Sequence, residues 1–260
     1  ASLDGAGNLA IGNAIGSNIA NIALVLGITA LVAPIPLQRG LLKKELPLLM
    51  LISLLAGVVL MDLTLDLIDA LILIAALIFA LYLMFQQSSD SGEPVMDSDE
   101  AEEIENTPTA KAVFWLVAGL LILMASSKAL VWGATGIASA MGVSDLIIGL
   151  TIVAIGTSLP ELAASVTSAL KGHHDIAIGN VIGSNIFNLL AVMPIPGILA
   201  VTAVDSMALY RDYAVMMGLT VALILLFIIN YRTGILGRVS GTLLTTSYAA
   251  YMFILFMANQ

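Results

Sequence analysis

The sequence contains no cysteine, two histidines, and so few charged residues that they make up 10% of its 260 positions. Without cysteine, the chain can form neither a disulfide framework nor a thiolate metal site. The histidines, His173 and His174, are adjacent, and no nucleophile–base motif is apparent. These absences argue against an enzyme and against a bound cofactor. The formal net charge of −9 says little about a partner, because eight of the eighteen acidic residues lie in one stretch, and no nucleic-acid partner is expected.

Apolar residues dominate the chain instead. Hydrophobic residues account for 60% of the sequence, and the mean hydropathy is +1.05. A soluble domain of this length has too little interior to bury so much apolar surface. The apolar runs are continuous rather than alternating, which indicates helices and excludes a β-barrel pattern. We therefore predict an all-α polytopic membrane protein whose main partner is the lipid bilayer.

About eight runs are long enough, or nearly so, to cross the hydrocarbon core. The second is short and could begin near Leu41. Between the third and the fourth lies an acidic stretch, which predicts a first unit over 1–87, a solvated linker over 88–110 and a second unit over 111–260. A cation-sensing role for the linker is the alternative. The predicted spans are 8–33, 46–61, 67–85, 112–141, 146–170, 176–204, 213–230 and 235–258.

A repeated motif relates the two units. Residues 10–21 read AIGNAIGSNIAN and residues 177–188 read AIGNVIGSNIFN, so ten of twelve positions are identical at an offset of 167. Five predicted spans, counted from the one that contains the first copy, precede the second copy. Because five is odd, the second copy enters the membrane from the opposite side. Such inverted repeats are typical of secondary transporters.

Basic residues predict the orientation. Lys43, Lys44, Lys171 and Arg232 fall in loops that alternate spans place on one side, together with the acidic linker. Cytoplasmic loops are enriched in lysine and arginine. We expect this side to be cytoplasmic in a bacterial inner membrane, with Arg211 in a loop on the other side.

The motif GTSLPE at 156–161 is the strongest chemical signal. Pro160 removes a helical hydrogen bond and disfavours helix at Leu159, so we expect carbonyl groups around residues 154–157 to lose their usual donors. Thr157, Ser158 and Glu161 add hydroxyl and carboxylate oxygens, a ligand set that suits Na⁺ or Ca²⁺. A protonated Glu161 bonded to a neighbouring helix is the alternative.

The repeated motif supplies a second polar row. Ser184 and Asn188 are four residues apart and share a helical face, as do Ser17 and Asn21 in the first copy. Asn185 falls on a different face. The alternative is a glycine packing seam with its amides bonded across the helix interface.

Together, GTSLPE and the two GSNIxN copies resemble the sodium/calcium exchanger superfamily, in its prokaryotic members. The resemblance implies two inverted five-helix repeats and Na⁺/Ca²⁺ antiport by alternating access. Asn188 stands where many calcium-transporting relatives have Asp. The positions that match the family's ion ligands are Glu161, Thr157, Ser158, Ser184, Asn188, Ser17 and Asn21, and Ala154 through its carbonyl.

Some alternatives stay open at this point. The first copy has no GTSLPE before it, so we expect the chain to be an N-terminally truncated form that lacks about two helices of the family fold. A cation/H⁺ exchanger that uses Glu161, a channel, and a transport-inactive fragment or scaffold all remain compatible with the sequence. The oligomeric state is not predicted.

Overall fold

The computed structural model describes residues 7–37, 40–90, 109–143 and 145–258, and these residues are almost entirely helical. In the first unit, α1 (Gly7–Ile19), a π-helical turn π1 (Ala20–Val25) and α2 (Leu26–Val32) form one rod. Strand β1 (Ile35–Pro36), π2 (Leu41–Glu45), α3 (Leu46–Val59), β2 (Thr64–Leu65) and α4 (Leu67–Asp90) follow.

The second unit begins with a long helix and an interrupted rod, and it repeats the order of the first unit from His174 onward. The order is α5 (Thr109–Ala140), α6 (Asp145–Ile148), π3 (Gly149–Val153), α7 (Ala154–Leu170), α8 (His174–Phe187), π4 (Asn188–Val192), α9 (Ile195–Leu199), β3 (Thr202–Ala203), π5 (Ala208–Tyr213), α10 (Ala214–Ile229), β4 (Ile235–Leu236) and α11 (Arg238–Ala258).

Within the described residues, seven helical stretches are long and apolar enough to cross a membrane. The remaining predicted span forms π2 and α3, which begin at Leu41 and include Lys43, Lys44 and Glu45. The prediction of an all-α polytopic membrane protein is confirmed. The seven stretches are Gly7–Val32, Leu67–Gln86, Val113–Ala140, Gly149–Leu170, His174–Leu199, Ala208–Ile229 and Arg238–Met257.

The predicted linker lies mostly outside the described residues. Helix α4 continues to Asp90 and α5 begins at Thr109, so both edges of the 88–110 segment are helical. The division into 1–87, 88–110 and 111–260 stays a prediction.

Two short ribbons join the units at opposite ends of α3. Strand β1 pairs with β4, with Ile35 opposite Leu236, and β2 pairs with β3, with Thr64 opposite Ala203. Each ribbon takes one strand from each unit, as an inverted repeat requires. The pairing of β1 with β4 also brings the turn with Arg232 to the end at which π2 begins, so these basic residues share one end as predicted, although Lys43 and Lys44 are helical rather than in a loop.

The π-helical turns repeat as well. The second one, π2, begins at Leu41, and π5 begins at Ala208, at the same offset of 167 as the repeated motif. Similarly, π1 overlaps Asn21 and π4 begins at Asn188. Single π turns in helices are frequent at functional sites. Their recurrence shows that the repeat extends to the irregularities of the helices.

The first rod forms the centre of the molecule. In its most apolar stretch, 78% of the residues are buried, whereas none of the residues in the most apolar stretch of α5 are buried. Ile11, Ile15, Ile19 and Ile22 are fully buried there. The central rod therefore lies among the other helices, while the apolar surface of α5 is exposed on the outside of the described part of the chain.

The prediction that Arg211 lies in a loop is wrong. Arg211 belongs to π5, and its Nε atom donates to Asp212 Oδ1 at 2.7 Å. Asp212 is fully buried. Because the carboxylate compensates the guanidinium, the helix can begin before this pair rather than after it.

Candidate functional site

A cavity of about 290 Å³ opens beside α7 and α8. Glu161 lines it from α7, and Ser184 and Asn188 line it from the rod formed by α8 and π4. Three residues predicted from two distant motifs thus meet in one space. The other lining residues are Gly179, Asn180, Gly183 and Phe187.

The expected loss of helix at Leu159 is wrong, whereas the predicted loss of a helical donor falls on the carbonyl of Gly156. Helix α7 runs through Pro160 without interruption, and the irregular turn is π3, which ends one residue before Ala154. Pro160 has no N–H to donate to the carbonyl of Gly156. Ser127 of α5 donates its hydroxyl to that carbonyl instead. The Ser127 hydroxyl therefore replaces the backbone donor that Pro160 lacks.

Thr157 and Ser17 connect the two units. Their hydroxyl oxygens lie 3.0 Å apart, and Thr157 Oγ1 also lies 3.2 Å from Asn13 Oδ1. The carbonyl of Ala154 lies 3.2 Å from the same Thr157 hydroxyl. These oxygens form one polar cluster at the contact between α1 and α7, next to the residues that line the cavity.

Two predicted ligands have buried oxygens that no described residue satisfies. Glu161 Oε2 and Ser158 Oγ both lack a hydrogen-bond partner in the part of the chain that the structure describes. Ser158 is 2% exposed. Buried polar atoms in proteins are nearly always paired. Unpaired oxygens on one helix turn are consistent with a site for a cation.

Four asparagines form a symmetric network between the two motif copies. Asn21 Nδ2 donates to Asn185 Oδ1 at 3.0 Å, and Asn188 Nδ2 donates to Asn18 Oδ1 at 3.1 Å. The two bonds are equivalent under the offset of 167, which relates Asn18 to Asn185 and Asn21 to Asn188. The local pseudo-twofold axis of the repeat therefore passes between these amides.

The sequence analysis missed Asn13 and Asn180, which are equivalent under the same offset. Asn180 lines the cavity and donates to the carbonyl of Glu161 at 3.3 Å and to Ser165 Oγ at 3.0 Å. Asn180, Ser184 and Asn188 are spaced by four residues, so they share a helical face. Extending the predicted row by one turn would have found both residues.

Neutral oxygens dominate this site. Among the described residues, no group of three or more His, Cys, Asp or Glu side chains could hold a metal ion. Glu161 is the one acidic side chain among those that line the cavity. Hydroxyls, amides and one carboxylate are hard oxygen ligands, which suit Na⁺ and Ca²⁺ better than transition metals.

Equivalent glycines of the two motif copies have different surroundings. A Cβ atom added to Gly16 would lie 2.8 Å from the Cα atom of Leu150 and 2.9 Å from the Ala154 Cβ, whereas nothing lies within 4 Å of one added to Gly183. The predicted packing seam therefore exists at Gly16. At Gly183, the described residues leave the cavity open.

We expect Gly16→Ala to destabilise the protein and Gly183→Ala to leave its stability unchanged. The backbone of Leu150 cannot move aside easily, and overpacking costs about 1–3 kcal/mol. Thermal unfolding of both purified variants in detergent measures the difference. Equal melting temperatures would contradict the packing described here.

Comparison with known proteins identifies relatives along nearly the whole chain. The family model described as sodium/calcium exchanger protein matches residues 1–86 and 111–257. The chain is 45% identical over 249 residues to CaxA of Alkalimonas amylolytica, a protein named as a candidate antiporter, and covers 78% of its length. It is 37% identical over 260 residues to the inner membrane protein YrbG of Escherichia coli and covers 79% of that protein.

A solved structure has the same architecture. The sodium-calcium exchanger NCX_Mj, soaked with Na⁺ and Sr²⁺, aligns with a TM-score of 0.74 at 31% identity. The alignment covers 96% of this chain and 77% of that one. The likeness thus includes both units and the helices on which the cavity is built.

Proposed function

Because this chain belongs to the sodium/calcium exchanger protein family, we propose that it is a secondary active antiporter that exchanges Ca²⁺ for Na⁺. The observation on which this rests is the cavity where Glu161 meets Ser184 and Asn188. The proposed ligands are Glu161, Ser158, Ser184 and Asn188 from the second unit, with Thr157, Ala154, Ser17 and Asn21 at the contact between the units.

Inverted repeats support alternating access as the mechanism. The two ribbons, β1–β4 and β2–β3, join the units at both ends, while the amide network joins them between the ends. A rocking motion of one unit against the other would open the cavity to one side at a time. Each ion drives this motion only by the difference in its affinity for the two states.

The proposed location is a bacterial inner membrane, which agrees with the name of the Escherichia coli relative. The exposed Lys43, Lys44, Arg232 and Arg238 belong to segments that the β1–β4 ribbon holds at one end. Basic residues favour the cytoplasmic side. We therefore assign the β1–β4 end, and with it the acidic linker, to the cytoplasm.

A cation/H⁺ exchanger is the second candidate. Glu161 is the one carboxylate among the described residues that line the cavity. A single carboxylate balances a proton or one monovalent cation, whereas Ca²⁺ has two charges. This candidate requires a proton gradient and no Na⁺.

Uptake of ⁴⁵Ca²⁺ into proteoliposomes distinguishes the candidates. The liposomes contain the full-length protein, with any segment that precedes Ala1 included, and hold Na⁺ inside. We expect uptake that depends on the outward Na⁺ gradient and disappears when K⁺ replaces Na⁺. Uptake driven by a proton gradient without Na⁺ would favour the second candidate, and rapid flux without any gradient coupling would indicate a channel.

A further inference from the structure

Asn18 is a residue whose contacts point to a role in the site although it does not line the cavity. Its side chain is 1% exposed, and its Oδ1 atom accepts the hydrogen bond from Asn188 Nδ2 at 3.1 Å. Its own amide nitrogen donates to the carbonyl of Asn185 at 3.3 Å and lies 3.6 Å from the sulfur of Met216. Both ends of the Asn18 carboxamide are therefore held from within the protein.

The orientation of Asn188 matters because a carboxamide has two chemically opposite ends. Its oxygen attracts a cation, and its NH₂ group repels one. Asn188 lines the cavity, and its nitrogen is bound to Asn18. Because oxygen and nitrogen lie on opposite sides of Cγ, this bond turns Oδ1 away from Asn18, and no described residue donates a hydrogen bond to it.

We propose that Asn18 is a positioning residue that makes Asn188 an oxygen ligand for the cation in the cavity. Asn18 accepts the one group of Asn188 that would repel the ion. This inference rests on the proposed function, since it requires a cation to bind beside Glu161. It assigns to an asparagine outside the cavity a part of the selectivity for cations.

The other unit contains the same bond between the equivalent amides, but its outer asparagine is held at one end only, since Asn185 Nδ2 is buried without a partner among the described residues. Asn185 Oδ1 accepts from Asn21 Nδ2 at 3.0 Å, and Asn21 Oδ1 is buried without a partner among the described residues. Asn21 is 1% exposed. Asn185 therefore leaves an amide oxygen of the first motif copy unpaired, as Asn18 does for the second. The repeated pattern, with a buried acceptor behind each amide, supports a common role.

A double-mutant cycle with Asn188→Asp tests the role of Asn18. An aspartate has two oxygens and no NH₂ group, so it needs no neighbour to orient it. We expect Asn18→Ala to weaken Ca²⁺ binding about 10- to 100-fold in the parent protein, as the loss of an outer-shell partner typically does. In the Asn188→Asp background, we expect the same change to cause no loss of Ca²⁺ affinity, because an aspartate has no N–H to donate to Asn18 Oδ1.

Binding is measured with ⁴⁵Ca²⁺ on the purified full-length protein, and thermal unfolding with Na⁺ or Ca²⁺ gives a second readout. Asn230→Ala is the matched control, because the Asn230 amide donates to Leu226 and Ser240 at the end of α10. This control should leave Ca²⁺ affinity unchanged.

Two results would overturn the proposal. An equal loss of affinity in both backgrounds would show that Asn18 acts only through packing, and no loss in the parent would show that Asn188 needs no orientation. If the parent protein binds neither Ca²⁺ nor Na⁺, the proposed function fails and the positioning role fails with it. Ion binding by the parent protein alone therefore distinguishes a failure of the proposed function from the two results that concern only Asn18.

Discussion

Replacing Glu161 with glutamine should abolish Na⁺-dependent Ca²⁺ uptake while leaving the protein folded. Glutamine preserves the size of the side chain and removes its negative charge. An opposite charge about 4 Å away contributes about 4 kcal/mol at an effective dielectric constant of about 20, which corresponds to about a thousandfold in affinity. The measurement is ⁴⁵Ca²⁺ uptake into proteoliposomes loaded with Na⁺.

Asp62→Asn is the matched control for Glu161→Gln, because it changes the net charge equally at an exposed loop position. The backbone N–H of Thr64 donates to Asp62 Oδ1 at 3.0 Å and lowers the pKa of Asp62. Asp62 is therefore ionised under the assay conditions, and its loss should leave uptake intact. Normal uptake by Glu161→Gln would remove Glu161 from the proposed ion site.

The fold could be predicted because the apolar runs and the repeated motif are visible in the sequence itself. Long apolar runs located the spans, and the offset of 167 between the motif copies gave the inverted repeat. Pro194, which cannot donate a helical hydrogen bond, lies between π4 and α9. The prediction that Arg211 lies in a loop was wrong, because the sequence does not show that Asp212 is buried and paired with it.

The candidate site could be predicted only in part. Helical spacing and chemical type suffice to select Glu161, Ser184 and Asn188, which line one cavity, and their role as ion ligands stays a prediction. The donor to the Gly156 carbonyl could not be predicted, since Ser127 lies on a helix whose position depends on packing. The hydrogen bonds of Asn18 and Asn185 could not be predicted either, because they connect residues from different units.

The buried pair of Arg211 and Asp212 leads to the largest predicted effect on stability. Asp212 accepts from Arg211 Nε at 2.7 Å, from Arg211 Nη2 at 3.0 Å and from Tyr251 Oη at 3.0 Å. It is fully buried, so its charge depends on these partners. The Tyr251 bond also ties α11 to the start of the helix that contains Asp212.

We expect Asp212→Asn to lower the free energy of unfolding, by less than the loss of about 3–5 kcal/mol for a fully buried pair, because Arg211 loses its counter-charge but keeps a side chain that is 19% exposed. The new NH₂ group would also face the guanidinium. Replacing both residues with Arg211→Met and Asp212→Leu should recover much of the loss, since the buried charge is then absent. Thermal unfolding in detergent measures all three proteins. Asp205→Asn, at an exposed position, is the control, and equal melting temperatures for Asp205→Asn and Asp212→Asn would show that the buried pair does not stabilise the fold.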